Sequence, residues 1–107
     1  MTDLLASAEH PRIFIRDIIA AAASHYGAKP SDVVGPGRPG PIVRPRQVAM
    51  FLSRTIAKRS FLEIGRRFNR DHSTVFRAVQ KIDAEQRVNA KLAADVAAIA
   101  AKIGAGQ

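Results

Sequence analysis

Asp71, His72 and Ser73 stand side by side, and an acid, an imidazole and a hydroxyl are the parts of a hydrolytic triad. Neighbours in sequence at the start of a helix cannot converge in that geometry, so no enzyme is expected here. The same stretch suits another chemistry. Small hydroxyls at Ser73 and Thr74, followed by the cations Arg77 and Lys81, match base edges and phosphates in a DNA major groove. His10, His25 and His72 show no ligand spacing and the chain has no Cys, so neither a metal site nor a disulfide is expected. The run Gly35-Pro-Gly-Arg-Pro-Gly40 fits the dinucleotide pattern GxGxxG letter by letter. That fingerprint needs a preceding strand, a helix starting inside it and a βαβ unit, and the prolines deny each of these. No GxxxxGK[ST] loop occurs either, so no nucleotide or other cofactor is expected.

Residues 60 to 82 would position the DNA-facing groups as a helix, a tight turn and a second helix. Ser60 precedes Glu63 in capping-box spacing, and Leu62, Ile64, Gly65 and Phe68 give the first helix a closing side. Asn69-Arg70-Asp71 supplies the turn, with Asp71 as N-cap of the second helix. Val75, Ala78, Val79 and Ile82 then share one buried stripe, which leaves Ser73, Thr74, Arg77 and Lys81 outward.

The net charge of the 107-residue chain is +8, and its placement matters more than its size. Residues 36 to 82 hold eleven Arg or Lys against two acids, whereas the remainder holds six against seven. Such concentration favours nucleic acid over a membrane surface as the partner. No secretory signal or membrane span is evident, and the protein is expected to be cytoplasmic.

The other elements read as support. Residues 1 to 10 form an expected flexible arm, residues 11 to 103 a single domain and residues 104 to 107 a disordered tail. A helix from about Pro11 would carry Ile15, Ile18, Ile19, Ala22 and Tyr26 inward and end at Gly27. Ser31 would cap a short turn through Val34. Residues 35 to 45 read as an extended basic loop with Arg38 and Arg44, or as a plain linker. A helix from Pro45 to about Arg59 would place Val48, Ala49, Leu52 and Ile56 inside. It leaves Arg46, Gln47, Arg54 and Lys58 polar, the last two one turn apart and either tracking phosphates or simply solvated. An Ala-rich helix over residues 84 to 103 carries the seam Val88, Leu92, Val96, Ile99 and Ile103. That seam would pack on the same domain or join a homodimer. The expected fold class is all-α, a helix-turn-helix bundle of about five to six helices.

Arg44-Pro-Arg-Gln-Val-Ala-Met50, Glu63-Ile-Gly-Arg-Arg-Phe68 and Arg70-Asp-His-Ser-Thr-Val75 together resemble the C-terminal DNA-binding domain of the bacterial replication initiator DnaA. The resemblance covers about residues 10 to 82 and implies a fold of the Trp repressor and DnaA C-terminal type. It implies that Arg38 enters the minor groove, that Arg46 and Gln47 meet backbone or nearby bases, and that Asp71, His72, Ser73 and Thr74 read the major groove. Arg77 stands where many members have His, Phe61 and Leu62 where they often have Leu-Pro, and Asn69 where many have two glycines. With Arg54, Lys58, Arg70 and Lys81 these complete the expected DNA-binding set. The implied function is recognition of DnaA-box-like sites in double-stranded DNA, regulating replication initiation or transcription. The competing readings are a helical protein–protein interaction module, or a phage replication accessory, with incidental DNA contact. The family's ATPase domain has no counterpart in this sequence.

Overall fold

Ile18, Ile19 and Ala22 fall on one face of the first helix and are buried there. A computed structural model describes residues 13–37 and 40–105 of the chain. Within them lie six helices and no strand: α1 (Ile15–Tyr26), α2 (Pro30–Val34), α3 (Gly40–Thr55), α4 (Phe61–Phe68), α5 (His72–Gln86) and α6 (Ala90–Ala105). The all-α class and the helix-turn-helix are as expected. The arm of residues 1–10, the proposed helix start at Pro11, Arg38 and the last two residues lie outside the described residues.

α3 is the central strut, packed against α1, α2 and α5. Its residues Val48 to Ser53 are buried one after another, as befits a helix covered on more than one side. α1 ends at Gly27, whose φ of 71° is the left-handed conformation that a glycine adopts freely. In α2 the N-cap is Lys29 and Pro30 takes the first turn, so Ser31 lies inside the helix and does not cap it.

Several boundaries differ from the sequence reading. α3 begins at Gly40, five residues before Pro45, so most of the expected extended loop is helix. Pro41 occupies its first turn, where a missing N–H costs nothing, while Pro45 is buried in the interior. Pro45 has no N–H for the Pro41 carbonyl, and burial of Ile42 and Pro45 itself offsets that loss. α3 also ends at Thr55, and Lys58 follows it in a left-handed conformation (φ 59°).

α5 runs on to Gln86, and the Asn89 side chain accepts from Leu92 N–H at 3.0 Å to start α6. Val88 therefore falls in the turn and is 87% exposed, outside the seam. Leu92, Val96, Ile99 and Ile103 are all buried, and α6 packs on α1 and α5. Of the two readings of the seam, packing within the domain is the one its residues adopt. α6 also passes through Gly104, where it was expected to stop.

Candidate nucleic-acid interface

Local chemistry sets both ends of the helix-turn-helix. Ser60 Oγ accepts from Glu63 N–H at 3.0 Å, and Glu63 Oε1 accepts from Ser60 N–H at 3.3 Å, closing the capping box. Asn69 takes the left-handed turn position (φ 54°), and Arg70 N–H reaches back to the Gly65 carbonyl at 2.8 Å. Asn tolerates that conformation better than most residues, so one Asn closes the turn. A Cβ on Gly65 would lie 2.6 Å from the Arg70 carbonyl oxygen, so only glycine lets α4 pass this close.

Asp71 caps α5: its carboxylate accepts from Ser73 N–H at 3.1 Å and from the Ser73 hydroxyl. Those two hydrogen bonds hold its carboxyl below the ordinary carboxylate range. Val75, Ala78 and Ile82 face the core, with Val79 at its margin. His72, Thr74, Arg77 and Lys81 are consequently exposed, and Ser73 half-exposed. A groove of about 270 Å³ separates this face from α3, rimmed by Gln47, Arg70, Thr74, Arg77 and Lys81.

Other expected site residues stand differently. Arg46 is 6% exposed and donates to three carbonyls: Nε to Val33 at 2.7 Å, Nη2 to Asp32 at 3.0 Å and to Gly35 at 3.1 Å. Burial first, and the Arg70 charge second, lower its pKa from the ordinary guanidinium value. Nε and Nη2 thus hold α2 against α3, while the side chain also lines the groove beside Gln47. Arg70 is half committed: Nη1 donates to Phe68 O and Nη2 to Gly35 O, each at 2.8 Å, while the side chain still lines the groove.

Arg54 donates to the Arg59 carbonyl at 3.1 Å and lies 4.4 Å above the Phe61 ring. Lys58 is exposed but beyond the helix end, so it is not one helical turn from Arg54. Phe61 meets Phe76 edge-on, with ring centroids 5.3 Å apart, and Leu62 beside it is 53% exposed. The sequence reading missed Phe76, which is 44% exposed on the α4 side of α5. Its position off the Val75–Ala78–Ile82 stripe is the signal that could have found it.

The far end of α5 is charge-neutral. Glu85 accepts a fork from Arg44 at 2.7 and 3.1 Å and lies 3.8 Å from Lys81, while Asp83 pairs with Arg87 at 2.9 Å. The Arg44 hydrogen bond draws the Glu85 carboxyl below its usual value.

Residues 15–82 match the family described as the bacterial dnaA protein helix-turn-helix. Three relatives carry the name chromosomal replication initiator protein DnaA. Identity is 40% to that of Xanthobacter autotrophicus over 88% of this chain, and 48% to that of Rhizobium johnstonii over 78%. To that of a Bradyrhizobium species it is 49% over 77%. The chain spans 17–19% of the length of these three relatives.

Proposed function

The chain belongs to the bacterial DnaA helix-turn-helix family, and we propose that it binds double-stranded DNA sequence-specifically at DnaA-box-like sites. The reading assigns it to the regulation of replication initiation or of transcription. The observation that carries it is the capped start of α5, which presents His72, Ser73, Thr74 and Arg77 outward while its opposite stripe is buried. The hydroxyls of Ser73 and Thr74 can hydrogen-bond to base edges, the Thr74 methyl can pack on a thymine methyl, and an Arg forks onto a guanine, so this face has the chemistry to discriminate sequence.

Around it, each remaining group has a place in the reading. Gln47, Arg70 and Lys81 on the groove, and Arg54, Lys58 and Leu62 at the α3–α4 side, supply contacts to the phosphate backbone. Asp71 orients Ser73 through the cap, and Phe61 braces Phe76, whose exposed edge offers an apolar contact beside the readers. Arg38 is assigned to the minor groove by the family resemblance. Arg46 lines the same groove with Nε and Nη2 already given to carbonyls, and its Nη1 is the group left for a backbone contact.

Selection of bound duplexes from a random pool tests the proposal. The expected result is enrichment of one short motif, with far weaker binding to scrambled duplex. Retention of all sequences equally would overturn sequence-specific recognition.

A further inference from the structure

Four guanidinium groups line a cleft that recognition of the major groove does not use. It has a volume of about 530 Å³ and lies between the start of α1 and the outer side of α4. Arg16, Arg59, Arg66 and Arg67 line it together with Phe14 and Ile15, and Glu63 is its one acid. No residue of α5 lines it; Arg66 alone also borders the shallow depression that holds Asp71 and His72.

The cleft has unmet hydrogen-bonding capacity. Arg59 Nε is buried without an acceptor, and its guanidinium is held only by a long 3.7 Å contact to Glu63. A buried donor without a partner is rare and costs free energy until an acceptor arrives. The Arg59 side chain is 24% exposed, so a small rotation can exchange the long Glu63 contact for an incoming anion. Arg66 and Arg67 make no side-chain hydrogen bond or ion pair among the described residues. Arg16 lies 4.7 Å above the Phe14 ring, and that ring is itself 38% exposed.

We propose that this cleft docks an acidic peptide segment of a partner protein, with clustered carboxylates flanking an apolar side chain. The Arg forks suit carboxylates, which accept two parallel N–H bonds each. The apolar shelf of Phe14 and Ile15 suits the aliphatic side chain between the carboxylates, and stacking of a base on Phe14 is the competing outcome that the oligothymidylate control reads. The cleft takes no residue from α5, so the domain holds duplex and peptide together.

The test uses the full chain with labelled arginine side chains and a fluorescent peptide of repeated Glu-Glu-Leu units. Controls are the Gln-for-Glu peptide and a short single-stranded oligothymidylate of equal charge. The acidic peptide should move the Arg59 Nε–H resonance and bind with an affinity reduced roughly tenfold or more in the Arg16→Ala/Arg67→Ala variant. Arg77→Ala should leave peptide binding unchanged, and saturating duplex should not displace the peptide. Thermal melting checks the folding of each variant, and Arg67→Glu replaces the double variant if that one melts early. Displacement by duplex, equal perturbation of Arg59 by the oligothymidylate, or undiminished binding by a folded variant would overturn the proposal.

Discussion

Thr74 and Arg77 point away from the core, whereas Arg46 is engaged on three sides, and the difference separates two kinds of mutational effect. Thr74→Ala or Arg77→Ala should cost about 1–3 kcal/mol on the selected duplex and much less on scrambled duplex. Fluorescence anisotropy with both duplexes measures it, and equal losses on the two would remove these residues from the reading face. Arg46→Ala should instead destabilise the fold by about 1.5–3 kcal/mol if one charge-assisted bond to a carbonyl is counted, read as a lower urea midpoint. Arg46→Lys should rescue little of that, because an ammonium lacks the fork that spans α2. A stable Arg46→Ala protein that binds DNA poorly would put its DNA contact above its structural role.

At the scale of elements, Gly65 controls how closely α4 crosses the turn into α5. Gly65→Ala drives a methyl against the Arg70 carbonyl and should destabilise by about 1–3 kcal/mol, weakening all duplexes alike. A melting curve beside binding to two unrelated duplexes checks both parts. Asp95 ties α6 to α1: its carboxylate lies 2.8 Å from His25 Nε2, accepts from the Tyr26 hydroxyl at 3.3 Å and pairs with Lys91 Nζ at 2.8 Å. Burial opposes its charge, but the hydrogen bonds from Lys91 and His25 prevail and hold its pKa below 3.8. Burial, followed by the Asp95 charge, pushes the Tyr26 hydroxyl up to about 12. A carboxylate depressed on folding stabilises the native state above its unfolded pKa, and that contribution disappears as pH falls through the lower folded value. Urea midpoints should thus hold steady for this pair near neutrality and drop below about pH 4, a limb that Asp95→Asn flattens. An unchanged acid limb in Asp95→Asn would mean that other carboxylates dominate.

What the sequence disclosed follows the range of each interaction. Ser60 with Glu63, Asp71 with Ser73, and the stripe from Val75 to Ile82 act within a few residues, and all were legible. The start of α3 was not, because Pro45 resembles a first-turn proline until Pro41 is seen to hold that place. The tie of Arg46 to three carbonyls was not legible, because these acceptors lie 11 to 14 residues earlier, in a segment whose position only the fold determines. Phe76 was missed because an exposed aromatic beside a buried stripe reads as core by default.

For the whole molecule, the basic residues act as a field as well as a set of contacts. Contacts from α3, α5 and the segment around Arg38 should neutralise about five to seven phosphates, so log K against log salt should slope at about −4 to −6. Titrations at several salt concentrations read this directly, and a nearly flat dependence would leave the cluster as a solvated face.

The two unlike halves of α5 also fix how the domain can sit on a duplex. His72 to Lys81 carry exposed polar and cationic groups, whereas beyond them Asp83 and Glu85 are neutralised by Arg87 and Arg44. The neutral end offers phosphates no net charge, so the helix is expected to engage a duplex through its His72–Lys81 half. Ten residues of helix measure roughly 15 Å, which at about 3.4 Å per base pair covers some four steps. A protected site longer than that must draw its extra length from α3 and the segment before it, and nuclease footprints of variants in those regions should contract from one side only.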